Sequence, residues 1–456
     1  MNQTTTTPTK EQTLSSKAPA HFASEVMDMR ATSDAMNIQY RIHGGRPLAG
    51  TVDISGSKNA ALPLIAGSVA CTGTSVFTNV PRLRDTETMF TILRFLGADV
   101  TVDGTTVTIC TDNVTSKPIP HDLVSKLRGA MVLFGPLLAR FGEVEMAYPG
   151  GCLIGKRPVN AHVEAFQQMG VEDVSTDEKL HLKGFPKSGH VVLPEFSVTA
   201  TENVLLAAGI TEGTTTVELA AAEPHVQDVC KFLVERGIAV DGIGSHTLTI
   251  HGKKGLLKGA AHSVTPDYLE AGCFLIAGIV TKGKVTVRGA DPTHLTSFLG
   301  ALRRAGASFT VAKNGEITVD GAASTLKATR IQTNIFPGFP TDLQSPFGVL
   351  LTQAEGVSRI FEVLFEGRMS YLYELEKMGA KFEILNSHQA IVIGPSQLRG
   401  RQVASNDLRA GAGMVIAGLC AEGETVVTDV HYIERGYDRL EEKLRSLGAD
   451  IVREQA

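Results

Sequence analysis

Six times along the chain an apolar helical periodicity ends at a glycine and gives way to strand-like alternation. The six segments are LRFLGADVTVDGTTVTI, FQQMGVEDVSTDEKLHL, LVERGIAVDGIGSHTLTI, LRRAGASFTVAKNGEITV, LEKMGAKFEILNSHQAIV and LRSLGADIV, with glycines at 97, 170, 237, 306, 379 and 448. A second glycine precedes each one, at 73, 142, 213, 283, 356 and 423, and opens runs such as GTTTVEL and GETVVTD. The first set recurs every 67 to 73 residues and the second lies 23 to 28 residues upstream of it. Glycine just past a helix fits a left-handed stop, where the missing Cβ removes the steric penalty. Period-two alternation after it reads as half-buried strands. Each copy therefore predicts helix, glycine turn, strand, connection, helix, glycine, strand and hairpin, a βαβαββ-like unit. Two anchors at near-constant offset in six copies mark an internal repeat. A repeat of about 70 residues is itself a small α/β fold, longer than a solenoid unit. Six units suggest two globular domains of three, with a ligand cleft between them.

Composition narrows the function classes. The chain has 456 residues, 43% hydrophobic and 20% charged, with a formal net charge of −5. That is ample core material and no general attraction for nucleic acid or anionic membrane. There is no Trp and only 6% aromatic residues, which argues against base-stacking platforms. No stretch reaches the ~18 apolar residues of a membrane helix. The six cysteines (71, 110, 152, 230, 273 and 420) form no C-x-x-C and no zinc-finger spacing, so no metal site is expected and a reduced, cytoplasmic compartment fits. Residues 1–36 are rich in Thr, Ser and Ala, lack an apolar signal-peptide core and carry acidic residues. They read as a disordered N-terminal extension, with MNIQYRIHGG from Met36 as the first strand-like run.

Several segments carry candidate chemistry. In SGSKNAALPL, Lys58 and Asn59 stand where a strand-like run enters a helix, a place suited to anions. Arg128 interrupts the apolar pattern of LVSKLRGAMVLFGPLLARFG, as a snorkelling side chain or as an anion ligand. The stretch PGGCLIGKRP, residues 149–158, has the G-x-x-x-x-G-K spacing of a phosphate loop but places Arg157 where that motif needs Ser or Thr. Arg157 cannot ligate Mg²⁺, and Pro158 removes a donor at the helix start. The better reading is a Gly-Gly turn presenting Cys152, whose thiolate Lys156 and Arg157 would favour, as nucleophile or proton donor. Asp342 in FPTDLQSPF and Asp407 in SNDLRAGAG each precede an apolar run, the position of a helix cap. Arg368, Arg409 and Arg435 lie near glycines, and the set points to a multiply anionic small substrate.

Together these motifs resemble the family of UDP-N-acetylglucosamine 1-carboxyvinyltransferases, which are enolpyruvyl transferases. The resemblance runs from about Gly50 to Ala449 through GSKNAALP, VPRLRDTETM, PGGCLIGKRPVNAH, SVTATEN, EPHVQDVCKFL, FPTDLQ, FEGRMSYLYELEKMGA, NDLRAGAGMVIAGL and YIERGYDRLEEKLRSLGA. The related family that makes enolpyruvylshikimate phosphate has Lys-Ser in place of Lys58-Asn59 and lacks the PGGC loop.

The resemblance implies two inside-out α/β barrels, 58–265 and 37–57 with 266–456, and an active site in the interdomain cleft. It implies phosphoenolpyruvate and UDP-N-acetylglucosamine as substrates, no cofactor, and a monomer active in peptidoglycan synthesis. Lys58, Arg128, Arg157 and Arg435 would hold phosphoenolpyruvate, with Arg368 and Arg409 completing the cationic lining. Asn59 would meet the acetamido group and Leu364 the sugar. Arg157, Pro158, Val159, Asn160, Ala161, His162, Ser197, Val198 and Thr199 would contact uridine and diphosphate. Asp342 would be the general base, Asp407 a proton-transfer group and Cys152 the proton donor, a thiol open to alkylation by fosfomycin. Asn160 and Thr199 depart from the usual Asp and Gly, and Glu195 lies where some members have Lys, which touches the nucleotide contacts. A silent paralogue that binds nucleotide sugar without turnover is the alternative.

Overall fold

The computed structural model describes residues 38–149 and 159–456. The six glycines that follow the second helix of each unit all take positive φ: 110° at Gly97, 79° at Gly170, 82° at Gly237, 81° at Gly306, 100° at Gly379 and 93° at Gly448. Any other L-residue would be strained there. The upstream set behaves alike except at Gly283, where Lys282 takes the left-handed turn (φ 54°). Gly283 is needed for a different reason: a Cβ would lie 2.1 Å from the Leu48 carbonyl oxygen.

Helix character sorts the layers. The first helix of a unit is apolar on all sides, as in Tyr268–Val280, where every residue is buried. Such a helix belongs inside. The second helix is amphipathic, as in Arg84–Leu96. In the C-terminal half the helices Tyr268–Val280, Gln344–Thr352 and Leu408–Cys420 pack on one another. In the N-terminal half, Phe134–Phe141 packs on Val198–Gly209, and the 3-10 turn Arg128–Leu133 joins both to Lys58–Gly67.

Sheets flank these helices. Among the described residues there are five four-stranded sheets, one of three strands and one two-strand pair. A typical sheet runs Ala49–Asp53, Lys284–Arg288, Ile317–Asp320, Ser308–Val311. Its first pair is parallel and the rest antiparallel. The N-terminal strand Ile38–His43 inserts between Glu424–Thr428 and Asp450–Gln455, antiparallel to both. Residues 38–53 thus complete two sheets of the C-terminal half.

Among the described residues the buried apolar side chains form two clusters. One spans Ala60 to Val264. The other joins Tyr40–Ile54 to Tyr268–Ile451. Each fully buried Leu or Phe contributes about 2–3 kcal/mol, so the cores, not surface ion pairs, hold each half. The chain passes between the halves twice, side by side: Ser57 N–H donates to the Thr265 carbonyl and Asp267 N–H to that of Ser55, both at 2.8 Å. No described helix is long and apolar enough to cross a membrane. Three of the five described cysteines (Cys71, Cys230 and Cys273) are buried, as small core hydrophobes should be.

Candidate active site at the seam

Lys58 is the first residue of the helix Lys58–Gly67, directly after the first passage between halves, with Asn59 half-buried beside it. Its Nζ lies 3.3 Å from Oδ2 of Asp85. The other oxygen of Asp85 accepts from Nε of Arg435 at 2.9 Å. Arg435 ends the 3-10 turn Val430–Arg435 of the C-terminal half. Burial pushes the Lys58 ammonium below its ordinary value; Asp85 and Asp342 oppose that shift, and Arg409 and Arg435 add to it. Residues 58, 85, 342, 409 and 435 thus form one electrostatic unit.

Asp342 does not cap its helix. It lies in the 3-10 turn Thr341–Leu343, and its carboxylate is shared by Arg368 (Nη2 to Oδ1, 2.7 Å) and Arg409 (Nε to Oδ2, 3.0 Å). Burial alone would raise its pKa. The two guanidinium groups and Lys58 outweigh burial and hold it well below the usual carboxylate range. Arg409 is 2% exposed, sits 5.1 Å from the Tyr437 ring centroid, and its Nη1 has no hydrogen-bond partner among the described residues. Asp407 is the capping carboxylate: it accepts from the backbone N–H of Arg409 and Ala410 at 2.7 and 2.9 Å. The cap fixes the first turn of Leu408–Cys420 and so aims Arg409.

Glu362 organises the surrounding loops. Oε1 accepts from Thr333 Oγ1 and the N–H of Leu364, both at 2.9 Å, and Oε2 from Thr341 Oγ1 at 2.8 Å. Thr341 Oγ1 in turn accepts from Nη1 of Arg368 at 3.0 Å. Half-buried Leu364 and the Asp342 turn are therefore set by one buried carboxylate.

The predicted nucleotide-contacting residues converge at two helix starts. Val159 caps Asn160–Gln168. Within it Asn160 is exposed, Ala161 and His162 buried. Ser197 caps Val198–Gly209, its hydroxyl accepting from Ala200 N–H at 3.4 Å. His162 joins the two: its Nδ1 lies 3.0 Å from Asn203 Nδ2 and its Nε2 3.0 Å from Thr199 Oγ1, both within hydrogen-bond distance. Burial, then Arg128, lowers His162 to about 4, so the ring is neutral. Thr199, one of the three departures noted in the sequence, is thus the side-chain partner of His162 Nε2. Glu195 is exposed. Arg128 does not interrupt a helix. The chain breaks at Leu127 (φ −132°), and Arg128 opens a separate 3-10 turn, half-buried. Cys152, Lys156, Arg157 and Pro158 lie outside the described residues.

Sequence reading missed Asp85, Glu362 and Asn203. Asn203 had a signal, a lone amide in the apolar run VLLAAG and its preceding turn. Asp85, beside Arg84 in the first turn of its helix, reads as an ordinary dipole-stabilising acid.

The chain matches the family model described as EPSP synthase (3-phosphoshikimate 1-carboxyvinyltransferase) over residues 42–444. The chain belongs to the EPSP synthase family. Within that family, a UDP-N-acetylglucosamine 1-carboxyvinyltransferase of Magnetococcus marinus is 43% identical over 414 residues, covering 90% of this chain and 98% of the relative. One of Shewanella amazonensis is 44% identical at the same coverage. The enolpyruvyl transferase NikO from Streptomyces tendae superposes with a TM-score of 0.82 at 25% identity, over 92% of this chain and 99% of that one. An EPSP synthase from Acinetobacter baumannii reaches 0.70 at 20% identity, over 92% and 100%, a likeness of fold.

Proposed function

We propose that the protein transfers the enolpyruvyl group of phosphoenolpyruvate to the 3-hydroxyl of UDP-N-acetylglucosamine and releases phosphate, the entry reaction of peptidoglycan synthesis. The observation that carries this reading is the meeting of Lys58, Arg435, Arg368, Arg409 and Asp342 at the seam between halves. It occurs in a chain 43% identical to named 1-carboxyvinyltransferases. The domain reading follows the two buried clusters: 58–265, and 37–57 with 266–456, each an inside-out barrel with helices within and sheets without.

The chemistry is addition followed by elimination. Cys152 gives a proton to C3 of phosphoenolpyruvate, which makes C2 cationic in character. The sugar 3-oxygen bonds to C2 while its proton passes to Asp342. The C2–O bond to phosphate then breaks, C3 loses a proton with help from Asp407, and the double bond re-forms. Arg128, Arg157, Lys58 and Arg435 hold the phosphate and carboxylate, bidentate guanidinium suiting both. Fixed cations aimed at the leaving phosphate stabilise the transition state. Asp342 has little basicity while Arg368 and Arg409 both hold it. An anionic substrate that draws those guanidiniums off restores it. The filled set of acidic and cationic positions favours turnover over a silent binding module, and a cytoplasmic monomer suits nucleotide-sugar chemistry.

Acceptor exchange tests the reading. With phosphoenolpyruvate present, phosphate release should require UDP-N-acetylglucosamine. Release with shikimate 3-phosphate instead would overturn it.

A further inference from the structure

The seam carries crossed charges. Arg84 and Asp85 open the helix Arg84–Leu96 in one half; Glu434 and Arg435 close the turn Val430–Arg435 in the other. Arg84 Nη2 donates to Glu434 Oε2 at 3.1 Å and Arg435 Nε to Asp85 Oδ1 at 2.9 Å. Glu434 is fixed from behind by Arg453 Nε at 2.7 Å. The Asp85 side chain is 5% exposed, against 13% for Lys58 and 36% for Arg435, so the carboxylate lies behind the two cations it joins. No assigned role uses Asp85, Arg84 or Glu434.

We propose that Asp85 is a positioning residue that holds the Lys58 ammonium and the Arg435 guanidinium together across the seam as one anion-binding pair, with Arg84–Glu434 fixing their alignment. The idea rests on the transferase reading for the identity of the anion, phosphoenolpyruvate. Two cations side by side repel, and without a shared counter-ion the more buried of them, Lys58, would shed its proton or turn away. Charged groups acting on Lys58 are Asp85, Asp342, Arg409 and Arg435. The elements packed on its helix add Arg128, and His225 and Asp228 of the helix Pro224–Glu235.

Inorganic phosphate is the probe, titrated calorimetrically into the full chain across pH, with no dependence on turnover. Asp85→Asn should weaken phosphate binding about tenfold, which is about 1.4 kcal/mol. It should also move the alkaline limb of binding to lower pH, because Lys58 loses an attracting charge. Adding Lys58→Arg should restore the alkaline binding, since guanidinium does not titrate there. Arg84→Glu and Glu434→Arg should each weaken binding, and the double exchange should recover it. Binding by Asp85→Asn that is unchanged or tighter, with the limb in place, would overturn the proposal. So would single exchanges at 84 and 434 without effect, a test open even if Asp85→Asn does not fold. If wild type binds phosphate as described but fails to use UDP-N-acetylglucosamine, the reaction falls and the anion pair stands.

Discussion

Arg409 donates from Nε to Oδ2 of Asp342 at 3.0 Å, and the guanidinium making that bond is 2% exposed. A carboxylate so held is a strong structural anion and, until its partners move, a weak base.

Replacing it should therefore cost both activity and stability. Asp342→Asn leaves Arg368 and Arg409 without their shared anion, at a cost of about 3 kcal/mol. Turnover should be abolished while nucleotide-sugar binding persists. Its lowered folded pKa means that the stabilisation is complete above the unfolded value near pH 4 and is lost as pH falls toward the folded value. Thermal melts should show a gap between wild type and variant that narrows below about pH 4.

His162 has the same proton balance, displaced to higher pH. Its folded pKa of about 4 lies below an unfolded value near 6.5. The unfolded chain therefore binds the proton first, and stability should fall as pH drops from about 6.5 to 4, by up to about 3 kcal/mol. His162→Asn should flatten that slope in pH-dependent melts and weaken nucleotide-sugar binding.

His262 should behave in reverse. It lies between Glu235 (Nδ1 to Oε2, 2.6 Å) and Asp228 (Nε2 to Oδ1, 3.2 Å). Burial opposes its protonation, but these two carboxylates outweigh it and raise its pKa. Its contribution is complete below the unfolded value of about 6.5 and is lost as pH rises through the folded value. His262→Gln should cost stability at pH 6 and little at pH well above the folded value, measured by the same melts.

If Cys152 has the proposed role, fosfomycin should inactivate the wild type, whereas Cys152→Asp should keep turnover, because a carboxylic acid can also give a proton, and should resist inactivation. Phosphate-release assays with and without pre-incubation separate the two effects.

Local rules account for what was readable. Each repeat glycine answers to one backbone turn, so six copies of Gly97-like stops stood out in the chain and recur as six left-handed residues. Lys58 was readable at a helix start for the same reason. Asp85 was not, because its meaning comes from Arg435, 350 residues away, and from burial that no local pattern encodes. Glu362 was hidden likewise, since its partners Thr333, Thr341 and Leu364 meet it only after the sheet forms. Asp342 and Asp407 looked alike in sequence. Only packing assigned one to a cap and the other to a pair of arginines.

The central claim is enolpyruvyl transfer to a nucleotide sugar. Incubating the full chain with phosphoenolpyruvate and UDP-N-acetylglucosamine, and following both phosphate and the mass of the nucleotide sugar, tests it most directly. The account predicts one phosphate released for each nucleotide sugar that gains an enolpyruvyl group. Phosphate release without a modified nucleotide sugar, or neither, would contradict it.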